Sequence, residues 1–367
     1  MSRTYDVAVI GGGMVGTSVA YHCAGRGLRT VLVEAARVAR LSEELDFDLE
    51  YRPAHGHCLI CTEQDLALFK WHRDVFVAAG FSERIVTPQE VREAEPHMRV
   101  GPEVIAALQT DEAVLNPLRL VYGFWRQARR RGVELRTDSP VLGFRRAGDR
   151  ITGILTPREE IVAGEVVIAA GSWTREIALK LDLSLPEYYI QGEAVVTEPV
   201  APLLNGFVFW STERIPAETR IATESMVKGW ESRANEYLFG AYDFGTVQTR
   251  RGNMLLGQMT HIIPAWGPLT WQVVPDSARE ALRLFPQLRR ARIIRAWRSP
   301  APFTPDHLAL LGRVKTWQNL LIASGFQSAI TQCHWAGEYV ADCITGAPLP
   351  VEASIFDPLR FPQPIAV

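Results

Sequence analysis

Residues 5–34 read YDVAVIGGGMVGTSVAYHCAGRGLRTVLVE. The run Tyr5–Ile10 is apolar and rich in β-branched residues, which is typical of a strand buried in a parallel sheet. The stretch from Thr17 to Gly27 is predicted to be a helix whose apolar side chains face that sheet. The run Thr30–Val33 is predicted to be a second buried strand. Together these segments predict a β–α–β unit that opens an α/β domain.

Three glycines lie in the turn between the first strand and the helix. Gly11, Gly13 and Gly16 match the pattern G-x-G-x-x-G, which provides a tight turn, close approach to a pyrophosphate and close packing of helix on strand. The helix N-terminus offers N–H groups and a positive dipole end to the phosphates. Glu34 stands 23 residues after Gly11, where a carboxylate accepts hydrogen bonds from ribose hydroxyls. The pattern predicts dinucleotide binding. The alternative is a glycine-rich turn without a ligand, and Glu34 argues against it.

The composition is that of an ordinary globular protein. The chain has 367 residues, of which 47% are hydrophobic and 22% charged, with a net charge of −2. This charge gives no reason to expect binding to nucleic acid or to an anionic membrane. No apolar run approaches the roughly 20 residues of a membrane span, and the first strand begins too early to leave room for a signal peptide. Five cysteines, an odd number, favour reduced thiols and a cytoplasmic location.

The chain is expected to return to the first sheet twice. The runs Val166–Ala170 and Leu320–Ser324 predict buried strands that end in turns of small residues. Ligands of open α/β sheets bind at the carboxyl ends of such strands. Between them, residues 185–294 contain short alternating segments that predict a mostly antiparallel sheet. A helix is predicted over 332–345, ended by Gly346.

One pair of cysteines has the spacing of a zinc site. Cys58 and Cys61 form C-x-x-C, with His55 and His57 nearby. No second Cys or His pair lies at a suitable distance, and a strand would direct the two thiols to opposite faces. We therefore expect buried thiols and no metal site.

Four segments of the sequence resemble one known family. They are the glycine pattern with Glu34, the run Val166–Trp173, the run Phe303–Asp306 with Leu311 and Gly312, and the run Ser324–Phe326 before the last helix. Their order is similar to that of the FAD-dependent D-amino-acid-oxidase superfamily, in the branch of glycine oxidase, sarcosine oxidase and the flavoprotein subunits of opine or amino-acid dehydrogenases. The segments span nearly the whole chain. The glycine pattern alone is shared with many nucleotide-binding proteins, whereas the combination is specific.

The resemblance implies an α/β fold in which a doubly wound, Rossmann-type FAD-binding domain is interleaved with a β-rich (α+β) substrate domain. The FAD-binding domain would comprise residues 1–48, 115–184 and 300–367. The substrate domain would comprise residues 49–114 and 185–299.

The resemblance also implies a set of cofactor residues. Glu34 would hold the adenosine ribose, the backbone at Val141 would meet the adenine, and Ala170 with Gly171 would line the adenosine and pyrophosphate. Backbone N–H groups from Gly325 to Ile330 would face the pyrimidine end of the flavin, where a helix N-terminus stabilises negative charge. The full set expected to contact FAD is Gly11, Gly13, Met14, Val15, Gly16, Glu34, Ala35, Val141, Ala170, Gly171, Trp173, Gly312, Gly325, Phe326, Gln327, Ser328, Ala329 and Ile330.

The sequence departs from the family pattern in several places. The Ser/Asn-rich loop and helix that normally follow the second strand are not apparent after Glu34, where Ala35 follows directly. Amino-acid-oxidising members often carry an Arg two residues before the position of Phe303, and here that residue is Ala301. No Cys lies near Pro300 for a covalent flavin bond.

Three residues are candidates for the substrate site. Arg298 is the nearest basic residue to the missing clamp, and a surface charge is its alternative role. His307 and Tyr242 are candidates for the pocket wall, each with a structural role as the alternative.

The function implied by the resemblance is FAD-dependent oxidation of the C–N bond of an amine, an amino acid or an opine-type secondary amino acid. Oxygen or a partner subunit with further redox centres would take the electrons, since the chain has no Cys cluster for an iron–sulfur centre. Two alternatives remain open. One is a non-catalytic or cofactor-poor subunit that kept the fold, and the other is an NAD-binding dehydrogenase.

Overall fold

The computed structural model describes residues 4–11, 14–28, 30–32, 41–78, 81–210, 239–242, 244–263, 273–326, 328–349 and 352–361. The strands of these residues are β1 (Thr4–Ile10), β2 (Thr30–Leu32), β3 (Arg52–Ile60), β4 (Glu83–Val86), β5 (Ala106–Val114), β6 (Glu134–Leu135), β7 (Gly143–Ala147), β8 (Arg150–Leu155), β9 (Glu160–Ile168), β10 (Tyr188–Pro199), β11 (Phe207–Trp210), β12 (Phe239–Tyr242), β13 (Gly245–Gln248), β14 (Asn253–Ile263), β15 (Ile293–Phe303), β16 (Leu310–Arg313) and β17 (Leu320–Ser324). The α-helices are α1 (Met14–Gly25), α2 (Leu41–Glu44), α3 (Glu63–Ala78), α4 (Pro88–Ala94), α5 (Pro117–Arg130), α6 (Thr174–Leu179), α7 (Val273–Leu284) and α8 (Ala329–Thr345).

The first sheet has the strand order β16-β17-β9-β1-β2-β6. The strands from β17 to β6 are parallel, β16 is antiparallel to β17, and the hairpin β7–β8 joins through β9. Both faces of this sheet are covered. Val7 and Val9 point into a core with α1, α5 and α8, whereas Ala8 and Ile10 point into a core on the other face. Burial on both faces explains the continuous apolar run of β1, and it confirms the predicted doubly wound α/β class.

The second sheet has the strand order β15-β10-β14-β13-β11-β3-β5-β4, with β12 paired to β14. Its strands come from two separate parts of the chain, residues 52–114 and 188–303. All pairs are antiparallel except β11 with β3, as expected for a mostly antiparallel sheet. Helix α7 packs on it through Val273, Ala281 and Leu284. Strand β15 continues to Phe303, so the domain boundary predicted between residues 299 and 300 falls inside a strand.

The last helix differs from its prediction at one end. Helix α8 begins at Ala329, not at residue 332, and ends before Gly346 as expected. Gly346 has a φ of 73°, the left-handed conformation that favours glycine at a helix end. The earlier start places residues 329–331 inside the first turn of the helix.

Helices α1 and α8 pack closely against each other on the first sheet. A Cβ added at Gly337 would lie 2.1 Å from Ser18 Oγ and 2.7 Å from the Ser18 backbone carbon. Because only glycine permits this approach, Gly337 sets the distance between the two helices. The contact joins the first helix of the chain to the last.

Candidate active site

A cavity of about 660 Å³ lies at the carboxyl ends of the central strands of the first sheet. Its walls are formed by the ends of β1, β9 and β17, by the first turn of α1, and by Ser299–Pro302 of β15 in the second sheet. This is the edge at which open α/β sheets bind ligands. The cavity is therefore shared between the two sheets.

The turn after β1 depends on Gly11. Its φ is 116°, and a Cβ there would lie 2.1 Å from the carbonyl oxygen of Ala169. The N–H of Ala169 donates to the carbonyl of Ile10 over 2.6 Å, which holds the ends of β1 and β9 together. Glycine at position 11 therefore serves two needs, a left-handed turn and the close approach of a neighbouring strand end.

Two further glycines shape the same edge of the sheet. Gly171 follows β9 with a φ of 53°, and a Cβ added there would meet nothing within 4 Å. Gly325 follows β17 with a φ of 73°, and its added Cβ would lie 2.9 Å from Thr304 Cγ2. All three central strands thus turn through glycine as they reach the cavity.

The described lining carries little charge. Its one cation among the described residues is Arg136, which forms ion pairs with Glu134 over 2.6 Å and with Glu159 over 2.8 Å. Its charge is therefore already balanced. The described first turn of α1 has no acidic residue. A bound phosphate group would accordingly depend on backbone N–H groups at this helix end rather than on a cationic side chain.

The cavity brings together many of the residues predicted to contact the cofactor. Those that line it are Gly11, Met14, Val15, Val141, Ala170, Gly171, Trp173, Gly325, Phe326 and Ala329. These residues come from four separate segments of the chain, around residues 11–15, 141, 170–173 and 325–329, which meet at one edge of the first sheet.

Four other predicted cofactor residues are described by the structure but are not among the residues that line the cavity. Gly16 is buried in α1, and Gly312 lies in β16 with a φ of 123°. Ser328 is the N-cap of α8, and Ile330 lies in its first turn, partly buried against the core of α1 and α5. Four more, Gly13, Glu34, Ala35 and Gln327, lie outside the described residues.

The three substrate-site candidates occupy different positions. Arg298 is half-buried in β15, next to Ser299 of the cavity wall and directly across from Glu193 of β10. His307 lies in an exposed turn with a φ of 62°, and the structure does not bring it to the cavity. Tyr242 ends β12, where its backbone pairs with Met259. Among the described lining residues, Ser299 is the one next to a candidate, and that candidate is Arg298.

The turn that contains His307 is held by the residues around it. Arg360 donates to both carboxylate oxygens of Asp306, over 2.7 Å each. Burial opposes ionisation of Asp306, but the hydrogen bonds from Arg360 and from the Leu308 backbone outweigh it and hold the pKa of the carboxyl below its usual range. The Thr-Pro-Asp motif therefore anchors the C-terminal segment to this turn.

Sequence reasoning missed two buried groups next to the cavity. Ser324 lines it, and Glu187 lies beside Ser324 with both carboxyl oxygens buried. The Ser324 side chain and the Arg175 backbone face the Glu187 carboxyl and favour its ionised form. Burial raises the pKa of Glu187 to about 7, against the opposing effects of Ser324 and Arg175. No local pattern marks these residues, because they meet only in the folded chain.

The described residues fit a bound dinucleotide. The cavity has room for an extended ligand, and Gly11, Gly171 and Gly325 line it without side chains that would fill the space.

Comparison with known protein families also indicates a flavin-dependent oxidoreductase fold. The FAD dependent oxidoreductase family (DAO) matches residues 6–40 and 35–343 of the chain. The chain belongs to this family. The resemblance found in the sequence is thereby confirmed. The two matched segments overlap at residues 35–40.

Relatives within the DAO family share low sequence identity with the chain. Mitochondrial dimethylglycine dehydrogenase of Mus musculus is 22% identical over 97% of this chain, which spans 44% of that relative's length. Hydrogen cyanide synthase subunit HcnC of Pseudomonas aeruginosa is 24% identical over 100% of this chain and 99% of its own. L-proline dehydrogenase from P. horikoshii superimposes with a TM-score of 0.80 at 22% identity, covering 98% of both chains. This last likeness shows a shared fold.

Across the part of the chain that the structure describes, no helix combines the length and the apolar character needed to cross a lipid bilayer.

Proposed function

We propose that this DAO-family chain binds FAD in the cavity and oxidises the C–N bond of an amine or amino acid. The observation that carries the proposal is the cavity itself, formed where the glycine turns of β1, β9 and β17 face β15 of the second sheet. Family membership supports FAD over NAD as the dinucleotide. When bound, FAD supplies the acceptor for the hydride that leaves the substrate carbon.

In the proposed complex, one set of residues contacts the adenosine and pyrophosphate of FAD, and another set contacts the flavin. Gly11, Gly13 and Gly16 would admit the pyrophosphate to the N-terminus of α1, and Glu34 would hold the ribose. Val141, Ala170 and Gly171 would contact the adenosine. Backbone N–H groups from Gly325 to Ile330, at the start of α8, would face the flavin, where the positive end of the helix dipole stabilises negative charge. Trp173 and Gly312 complete the proposed set.

We propose that the chain is divided into an FAD-binding domain and a substrate domain at the boundaries expected from the sequence. Residues 1–48, 115–184 and 300–367 would hold FAD, and residues 49–114 and 185–299 would hold the substrate. The position of β15 supports a shared boundary, since its residues 299–302 line the cavity from the side of the second sheet.

The substrate class that we propose is an N-substituted α-amino acid. Dimethylglycine and L-proline, named in two of the relatives, both carry a substituted amine and an α-carboxylate. Arg298 is the proposed partner of that carboxylate, because it is adjacent to the cavity wall and faces the buried Glu193 across the strand pair. Glu193 would hold the guanidinium in position while the substrate carboxylate takes its outer face.

The test begins with the visible spectrum of the purified full chain and extraction of its cofactor. Sarcosine, dimethylglycine, L-proline, glycine and an opine are then added anaerobically. We expect flavin absorbance that bleaches with an N-substituted amino acid and less with glycine. The variant Arg298→Gln should keep its flavin and raise KM at least tenfold, because a charge-assisted pair is lost. A matched Arg295→Gln variant on the same strand should change neither the flavin content nor KM.

A second candidate function rests on Ala301. This residue stands where amino-acid-oxidising relatives often carry the carboxylate clamp, so a flavoprotein subunit without its own substrate chemistry is the alternative. Flavin that no substrate in the panel bleaches would favour this alternative. A protein that neither contains nor takes up FAD would contradict the main proposal and the alternative flavoprotein together.

Partner subunits form part of the proposal. One relative is named as a subunit of hydrogen cyanide synthase, which supports assembly with other chains. Reoxidation of the bleached protein by oxygen, compared with reoxidation by an artificial electron acceptor, distinguishes an oxidase from a dehydrogenase that passes electrons to a partner.

A further inference from the structure

Three potential metal ligands meet where α1 packs on α8. His22 lies near the end of α1, and His334 and Glu338 lie four residues apart on one face of α8. His22 Nε2 is 3.3 Å from His334 Nδ1, and His334 Nε2 is 3.3 Å from a carboxylate oxygen of Glu338. One ligand atom from each residue lies within 4.8 Å of the others. We propose that these residues bind a divalent transition-metal ion of the zinc class, which joins α1 to α8.

The distances suit such an ion. Zinc binds imidazole nitrogen and carboxylate oxygen at about 2.0–2.2 Å, so neighbouring ligands of a tetrahedral site are about 3.3–3.5 Å apart. The two imidazole nitrogens already have this separation. The Glu338 side chain is 41% exposed, so it can rotate toward an ion held by the two histidines.

The chemistry of the donors selects the metal class. Two imidazoles and one carboxylate favour Zn²⁺ and its neighbours Co²⁺ and Ni²⁺ over Ca²⁺ and Mg²⁺, which require oxygen ligands. Three protein ligands leave a fourth position for water.

The fold holds the site in place before an ion binds. Gly337 lies between His334 and Glu338 on α8 and, because it has no side chain, lets α8 come close to Ser18 of α1. Ser18 lies one helical turn before His22. One turn beyond the ligands, Arg26 of α1 pairs with Asp342 of α8. The helix pair is thus fixed on both sides of the proposed site, which reduces the rearrangement needed for binding.

An ion has a route to the site from solvent. The His334 side chain is 25% exposed, whereas His22 is buried. The ion would therefore enter over α8 and reach His22 last. Neither spacing nor motif reveals this site in the sequence, where no metal site was expected, because residues 22 and 334 meet only through the packing of the first helix on the last.

The experiment uses the tag-free full chain with its native cofactor content, freed of metal by a chelator and dialysed. Zn²⁺ binding is measured by calorimetry, and bound zinc is counted by elemental analysis. We expect one Zn²⁺ per chain and a rise in the unfolding temperature with added Zn²⁺. Changing a residue that only orients a metal ligand costs about 10–100-fold in affinity, so loss of a ligand in His334→Gln should cost at least about 100-fold. Glu338→Gln removes a proposed ligand as well and should cost a comparable factor.

The matched control is His72→Gln. His72 pairs with Glu83 over 3.1 Å, the same kind of contact but without a third ligand among the described residues. This variant should bind Zn²⁺ like the parent chain. Absence of stoichiometric zinc in the parent, unchanged affinity in His334→Gln, or equal losses in His72→Gln would each overturn the proposal. Because no residue of the site lines the cavity, the result is independent of the proposed oxidation.

Discussion

Glu187 shows how burial alone changes the chemistry of a residue. Its carboxyl is buried beside the Ser324 side chain and the Arg175 backbone. Desolvation therefore raises the pKa of Glu187 to about 7, against the effects of Ser324 and Arg175. The group is neutral in the folded protein at a pH where it is ionised in the unfolded chain.

This difference makes a prediction about pH and stability. A carboxyl whose folded pKa is raised stabilises the fold fully below its unfolded pKa, near 4.5, and this stabilisation is lost as pH rises toward 7. The loss is of the order of 3 kcal/mol at most. In Glu187→Gln, the free energy of unfolding should therefore fall less between pH 5 and pH 7.5 than in the parent chain. Urea unfolding across this range measures the difference, and parallel curves for the two proteins would contradict the assignment.

Two glycines at the cavity should respond differently to the same substitution. Gly11→Ala places a methyl group 2.1 Å from the Ala169 carbonyl oxygen and should cost about 3 kcal/mol, with loss of bound flavin. Gly171→Ala meets no atom within 4 Å and has only the cost of its positive φ, about 1 kcal/mol. Chemical unfolding and flavin content measure both effects. Equal losses in the two variants would show that the contact with Ala169 is unimportant.

At the scale of elements, predictions succeeded where a helix end has a chemical marker. Gly346 was predicted to end the last helix, and it follows α8 in the left-handed conformation. The start of α8 was predicted three residues late. Its N-cap, Ser328, is a residue type that favours helix starts, but its side chain makes no capping hydrogen bond. Packing of the helix on α1 determines this end instead.

Helical glycines offer a matched test of packing. Gly337→Ala directs a methyl group toward the Ser18 backbone and should destabilise the chain by about 2 kcal/mol, even though Ala favours helix. Gly123→Ala in α5 meets only side-chain atoms, the nearest at 3.0 Å on Leu45. Those side chains can move, so the gain in helix propensity should keep its effect within about 1 kcal/mol. Unfolding by urea compares the two variants, and similar values would contradict the close α1–α8 contact.

At the scale of the whole molecule, the sequence predicted the first sheet better than the contents of the site. The buried runs of β1, β9 and β17 and the glycines that follow them are local features, so their positions could be read directly. The role of β15 as a cavity wall could not, because it depends on how the second sheet meets the first. Of the candidates for the substrate site, Arg298 lies in β15 next to the cavity wall, whereas His307, for which a structural role was the alternative, lies in an exposed turn.

The shared cavity predicts that FAD stabilises both sheets together. The buried hydroxyl of Ser172, after β9, donates to the carbonyl of Pro300 in β15 over 2.5 Å, and both residues line the cavity. A ligand there contacts both sheets and binds only the folded arrangement. At a concentration about 100 times its Kd, FAD should raise the free energy of unfolding by about 2.7 kcal/mol. Urea unfolding, followed by tryptophan fluorescence and by far-UV circular dichroism, should show one transition that FAD shifts equally with both probes.

The variant Ser172→Ala tests the link between the sheets. It removes the hydroxyl donor and leaves the Pro300 carbonyl without this bond, which should cost about 1 kcal/mol and weaken FAD binding. Ser139→Ala is the matched control, because Ser139 also lines the cavity, but within the described part of the chain its hydroxyl donates to the nearby Thr137 carbonyl and to nothing in β15. If FAD shifts only one of two separate transitions, the second sheet does not contribute to the site. A single transition that loses part of its FAD shift in Ser172→Ala, but not in Ser139→Ala, is the result expected of a cofactor held between the two sheets.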